Sequence, residues 1–200
     1  MATTITAKDV SALRSRTGAG MMDCKRALQE TGGDIEKAVE FLRKKGIAQA
    51  EKRSGHRASE GVIGSYVHFN GKVAVLVELN CETDFVAHTE DFQQLAKDLA
   101  MHIASAKPIA VTPEDLPPKV VERERAIYEA QAAESGKPEK VWPRIVEGRL
   151  KKFYAESVLL QQPYVKDDKK RVSDFVKEVA GKLGENVVVR RFVRFELGEE

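Results

Sequence analysis

The chain has 200 residues, 42% hydrophobic and 32% charged, enough apolar content for one sizeable core or two small ones. No apolar run approaches the roughly 20 residues that a membrane-spanning helix needs, and the amino terminus MATTITAKDV lacks the basic and apolar regions of a secretion signal, so a cytoplasmic protein with no membrane association is expected. The net charge of +2 is unevenly spread: residues 1–57 carry 12 Lys/Arg against 7 Asp/Glu, residues 58–116 carry 3 against 9, and residues 117–200 carry 18 against 15. The acidic middle segment would be repelled by phosphate, which argues against a direct nucleic-acid partner and for a protein one.

In chain order, Thr6 to Gly46 reads as three short helices. Thr6 caps the first, which offers Val10 and Leu13 and stops near Thr17-Gly18-Ala19-Gly20; the second offers Met21, Cys24 and Leu28 and ends at Gly32-Gly33. Asp34 caps the third, which places Ile35, Ala38, Val39 and Leu42 on one stripe and closes with Arg43-Lys44-Lys45-Gly46. AEKRSGHRASEG then reads as a basic linker, which gives an amino-terminal helical domain over 1–53 and a second domain over 54–200.

There the period changes. Glu60 to Phe69 and Lys72 to Cys81 are strand-like, with the hairpin signal Asn70-Gly71 between them. The second strand is almost wholly apolar, as expected of a strand that is central or covered on both faces. Thr89 caps a long helix presenting Phe92, Leu95, Ala96, Leu99 and Ile103 and ending before Lys107-Pro108. Residues 119–134 and 139–155 read as charged helices, the second with Pro143 in its first turn. Gln162-Pro163-Tyr164 breaks the chain, Lys169 to Leu183 reads as an amphipathic helix, and Asn186 to Phe195 as a final strand. The fold class is α+β, a small antiparallel sheet packed on helices behind the three-helix domain.

Three stretches are candidates for chemistry. Cys81 lies near Glu82 and Asp84 and is flanked by His68 and His88, the ingredients of a thiol–histidine device, yet Cys81 also ends an apolar strand, where a cysteine is ordinarily a small core residue. Thr17-Gly18-Ala19-Gly20 suits either a phosphate-cradling turn or a tight connection between helices. Thr83-Asp84-Phe85-Val86 is either a loop whose phenylalanine packs under the long helix or an exposed aromatic wedge beside a carboxylate. The four histidines show no ligand spacing, and neither GxxxxGK[ST] nor GxGxxG occurs, so no metal and no bound cofactor is expected.

Three groups of residues carry a resemblance. Leu13 to Leu28, reading LRSRTGAGMMDCKRAL, the stretch NCETDFVA at 80–87, and the later runs GRLKKFY at 148–154, QPYVKD at 162–167 and NVVVRRF at 186–192 closely resemble bacterial elongation factor Ts, nearly end to end. The resemblance implies an amino-terminal domain like a ubiquitin-associated domain and an α+β core. It also implies a non-enzymatic guanine-nucleotide exchange factor for the GTPase elongation factor Tu, binding its GDP-bound and nucleotide-free forms. By the same resemblance Thr83, Asp84, Phe85 and Val86 disturb the partner's magnesium and phosphate site, with Phe85 presented outward. Arg16, Thr17, Gly18, Ala19, Gly20, Met21 and Met22 would form the amino-terminal contact. An adaptor that binds without changing nucleotide release is the other class of reading.

Longer members of that family carry the core module in two copies, whereas this chain shows one. A lone three-stranded sheet with apolar strands at Val73 to Leu79 and Val187 to Val193 would leave apolar surface uncovered. A symmetric homodimer through the core domain is therefore expected, its interface on the sheet and final strand and needing no disulfide.

Overall fold

The first helix begins at a reciprocal cap. In the computed structural model, which describes residues 5–199, the Thr6 hydroxyl accepts from the Asp9 N–H at 3.2 Å and the Asp9 carboxylate from the Thr6 N–H at 2.9 Å, so two donors without intrahelical partners are satisfied together. Helix α1 (Ala7–Thr17) ends at Gly18, α2 spans Met21–Glu30, and Asp34 caps α3 (Ile35–Arg53) by accepting from the Lys37 N–H at 3.0 Å. There follow β1 (Glu60–Val67), β2 (Val73–Cys81), the single turn α4 (Asp84–Ala87), α5 (Glu90–Ala106), α6 (Pro118–Glu134), α7 (Trp142–Ser157), β3 (Pro163–Tyr164), β4 (Asp167–Arg171), α8 (Val172–Leu183) and β5 (Val188–Glu196). The expected α+β class is what the chain adopts.

Contacts divide the chain into two compact units. The first holds the chain through Gly61 together with Asn80–Phe92 and Val176–Val188; the second holds Val62–Leu79, Gln93–Phe175 and the residues from Val189 onward.

In the first unit, Val10, Leu13, Cys24, Ala27, Leu28 and Ala38 form the core of α1–α3, bordered by Ile35, Val39 and Leu42 as the helical spacing predicts. Met21 is an exception and faces outward. The third helix does not stop at Gly46: it runs through the first third of the expected linker to Arg53, where Lys52 and Arg53 supply last-turn cations and the Ser54 hydroxyl donates to the Glu51 carbonyl at 2.8 Å. An internal glycine costs a helix only about 1 kcal/mol, and this one admits another backbone. A Cβ built on Gly181 of α8 would lie 2.5 Å from the Gly46 carbonyl oxygen. Arg43 pairs with Glu178 and Lys177 with Glu51 at 2.7 Å on either side of this crossing.

In the second unit the sheet has the order β1-β2-β5, so β2 is central, as its apolar run suggested. The hairpin turns at Gly71, whose φ is +69°, and closes with the His68 N–H on the Val73 carbonyl at 2.8 Å, a wider connection than Asn70-Gly71 alone. The Leu197 N–H reaches the Lys72 carbonyl at 2.8 Å while Arg191 pairs with Glu78 at 2.7 Å, which sets β5 antiparallel to β2. Val75, Val77 and Leu79 are buried on one face. There Gly64 lets α5 approach so closely that a Cβ would meet Ala96 at 2.8 Å. The other face stays open, with Val67, Leu76, Val193 and Phe195 exposed.

The helix expected from Lys169 starts only at Val172. Asp167–Arg171 instead pairs antiparallel with Pro163–Tyr164 as a small hairpin, and His102 of α5 fastens it. His102 is fully buried; its Nδ1 accepts from the Val165 N–H at 3.3 Å and its Nε2 donates to the Gln162 side-chain oxygen at 2.9 Å. Gln162 in turn donates to the carbonyls of Ala106 and Glu156 at 3.1 and 2.6 Å. Both ring nitrogens are therefore committed with the imidazole neutral. Burial holds its pKa below the ordinary 6.5.

Two outcomes follow. Gly181→Ala should lower the thermal midpoint: the gain in helix propensity is about 1 kcal/mol, while a methyl forced against a backbone that cannot rotate aside costs about 1–3 kcal/mol or more. Because folded His102 takes up its proton less readily than unfolded His102, stability should fall as pH drops below 6.5. Thermal melts across that window should show the loss in the native protein and a smaller one in His102→Gln, which has no proton to gain.

Candidate partner-binding surface

All the singled-out residues at 16–22 and 83–86 lie in the first unit. Strand β2 ends at Cys81, which is fully buried and whose thiol donates to the Thr83 carbonyl at 3.1 Å. Burial, then the nearby negative charge of Glu185, pushes its pKa up to about 11, so the thiolate is scarcely formed near neutral pH. The flanking histidines are engaged elsewhere: His68 Nδ1 meets the Tyr66 hydroxyl at 2.9 Å, and His88 Nδ1 donates to the Asp84 carbonyl at 2.7 Å. No thiol–histidine device is assembled, and Cys81 is a core residue.

The next residues form a short, fixed projection. Thr83 is extended and caps α4, its hydroxyl oxygen accepting from the Val86 N–H at 3.4 Å. The Thr89 hydroxyl donates to the Val86 carbonyl at 2.7 Å and accepts from the Phe92 N–H at 3.3 Å, so one threonine ends the turn and starts α5. Asp84 is exposed, Val86 half-buried and Ala87 buried. Phe85 is 83% exposed. Phe92, seven positions on, is the phenylalanine that enters the core, and of the two readings of Phe85 the outward one holds.

The turn between α1 and α2 is tied down as tightly. Gly18 adopts φ +67°, and the Lys182 side chain occupies the space in which a Cβ would stand, its ammonium reaching Asp91 of α5 at 2.7 Å. The Thr17 hydroxyl donates to the Leu13 carbonyl at 2.8 Å and accepts from the Ala19 N–H at 3.3 Å, while the Gly18 N–H goes to Arg14. With those two N–H groups used internally, the turn is a tight connection and not a phosphate cradle. Arg16 makes a two-pronged pair with Glu36 at 2.8 and 3.3 Å, and Met21 and Met22 stand out beside Gly20 as exposed apolar side chains.

A second set of residues was not visible in the sequence. The Glu185 carboxylate accepts from the N–H groups of Glu82 and Thr83, both at 3.0 Å, and from the Thr83 hydroxyl at 2.5 Å. Reciprocally, the Glu82 carboxylate accepts from the Asn186 N–H at 2.6 Å and from His56 Nδ1 at 3.0 Å. The Asn186 amide donates to the carbonyls of His56 and Ser54 at 2.8 and 3.4 Å. The Asn186 N–H first, then His56, hold the Glu82 carboxyl below the usual carboxylate range. These partners lie 102 residues apart in sequence for Thr83 and Glu185, beyond the reach of any local pattern.

Among the described residues no group of three or more His, Cys, Asp and Glu side chains is placed to hold a metal ion, and no helix is long and apolar enough to cross a membrane. What the two stretches offer to solvent is an aromatic and a carboxylate on one projection, and two methionines and an arginine on a turn. A family model described as Elongation factor TS matches residues 4–199. The chain is 57% identical over 195 residues to elongation factor Ts of Geotalea uraniireducens, covering 98% of this chain and 90% of that protein. It is 55% identical over 196 residues to that of Syntrophobacter fumaroxidans, covering 98% of each, and 57% identical over 195 residues to that of Moorella thermoacetica, covering 98% and 96%. With the match running through both candidate stretches, 16–22 and 83–86, and the whole α+β core, the chain belongs to the elongation factor Ts family, the translation elongation factors of that name.

Proposed function

We propose that this protein is a cytoplasmic guanine-nucleotide exchange factor that binds elongation factor Tu in its GDP form and speeds release of GDP, so that GTP can enter. The observation that carries this is Phe85, 83% exposed at the tip of a hydrogen-bonded turn. A large aromatic held in water on a fixed projection is a contact residue awaiting a pocket. In this reading Thr83, Asp84, Phe85 and Val86 form a wedge that disturbs the partner's magnesium and phosphate site, where a GTPase concentrates its hold on GDP. Residues 16–22, with Met21 and Met22 outermost, form the second contact. Residues 1–53 act as a partner-binding helical domain and residues 54–200 as the core domain.

The thermodynamics constrain the mechanism. A factor that weakens GDP on its partner by some ratio must bind nucleotide-free partner more tightly than GDP-bound partner by the same ratio, and GTP binding expels it in turn. It accelerates exchange without altering the final nucleotide equilibrium and turns over no covalent substrate. It needs neither a cofactor nor nucleic acid.

We further propose that two copies associate through the open face of the sheet. Val67, Leu76, Val193, Phe195 and Leu197 leave that face apolar and uncovered, and patches of this kind on a soluble chain are ordinarily interaction surfaces. β1 and β5 border it symmetrically about β2. A second copy, through an isologous contact, covers it without needing any further partner.

Stopped-flow release of a fluorescent GDP from elongation factor Tu tests the first proposal. Phe85→Ala should slow factor-stimulated release about tenfold or more, with stability within about 0.5 kcal/mol of the native protein. A loss of about 3–5 kcal/mol would instead mark Phe85 as a core residue. Light scattering behind a sizing column in reductant tests the second. A mass twice the 22.2 kDa of one chain is expected, shifting to a single chain in Phe195→Glu; a native monomer at micromolar concentration would refute the dimer.

A further inference from the structure

Where β2 ends, the N–H groups of Glu82 and Thr83 have left the sheet ladder, and the chain must turn into α4 within two residues. The acceptor for both is Glu185, which follows Gly184 at the end of α8. Gly184 has φ +75°, and its N–H closes on the Ala180 carbonyl at 2.8 Å. That left-handed step, which glycine takes without steric cost, ends the helix and leads into Glu185 and Asn186.

The Thr83 hydroxyl has one proton, and it goes to Glu185 Oε1. Its lone pair is thereby left facing the Val86 N–H, the bond that caps the turn carrying Phe85. The order of dependence runs from the Glu185 carboxylate to the Thr83 hydroxyl, to the Val86 N–H, to the direction of α4. Hydrogen bonds to an ionised carboxylate are about twice as strong as neutral ones, and linked bonds polarise one another. The reciprocal half, Glu82 with Asn186 and His56, fastens the same turn to the chain just beyond α3.

We propose that Glu185 is a positioning residue for nucleotide exchange: its carboxylate holds the Glu82-Thr83 backbone and the Thr83 hydroxyl so that Phe85 is presented in one orientation. This rests on the exchange reading given above. Glu185 acts through Phe85 and its own contact with the partner is not required. A wedge free to swing loses productive geometry, and a misplacement of about 1 Å can cost a reaction roughly a hundredfold.

The test is a double-mutant cycle on the full chain with elongation factor Tu, read by fluorescent-GDP release, alongside hydrogen exchange of the free protein. Glu185→Ala should expose the amides of Glu82, Thr83 and Val86 to exchange and slow GDP release about tenfold. Glu185→Ala combined with Phe85→Ala should be no slower than Phe85→Ala alone, because both changes remove one action. Glu185→Gln, which retains one acceptor oxygen, should recover part of the rate; it carries the same cycle should the alanine variant fail to fold. The inference is overturned if the two single effects multiply, or if GDP release is unchanged in Glu185→Ala while Phe85→Ala slows it. Full activity in Phe85→Ala would instead sink the wedge reading itself.

Discussion

The backbone contact between Gly46 and Gly181 is the constraint on which the first unit depends. Two helices ordinarily stand 8–10 Å apart, held off by their side chains, and only glycine on both sides lets the main chains touch. Once they do, the registry of α8 against α3 is settled to within a residue. Arg43 then meets Glu178, Lys177 meets Glu51, and Lys182 lies across Gly18 to reach Asp91. The turn that follows α8 is carried to Thr83 by the same registry. A helix-weakening residue in the middle of α3 is thus explained by what it admits.

That frame accounts for how Phe85 stays exposed. A phenylalanine on a slack loop would collapse onto the nearest apolar surface, since burial of such a ring stabilises by about 2–3 kcal/mol. Here the neighbouring core is already filled by Phe92 and Ala87, both buried, and the turn is fixed on both sides by polar groups. Preorganisation of this kind lowers the ordering cost that binding must meet. In the proposed role, the partner receives a projection that is already shaped.

The second unit solves a different problem. Its sheet is covered by α5 on one face only, with Gly64 allowing the close approach to Ala96, and the interior is completed by a neutral histidine whose two nitrogens bind the β3–β4 hairpin and Gln162. The α6–α7 pair has its own small core of Ala132, Val146 and Leu150 beneath Trp142 and Tyr154, which explains why two such highly charged segments are helical.

Much of this was legible in the sequence because it is local. Caps at Thr6, Asp34 and Thr89, the spacing of Leu13, Leu28, Phe92 and Leu99, and the glycine at the β1–β2 turn each act within a few residues, and the expected elements appear at those places. The candidate stretches at 16–22 and 83–86 were singled out by a resemblance of motifs and not by their chemistry, which left Phe85 open between core and surface. Tertiary structure decided the rest. It carried α3 past Gly46, because whether a glycine ends a helix depends on what approaches it. It made a hairpin of the residues before Val172, because strand pairing needs a partner that local sequence does not name. It placed Glu185 on Thr83, because a carboxylate and two amide groups 102 and 103 residues away meet only after the helices between them have packed.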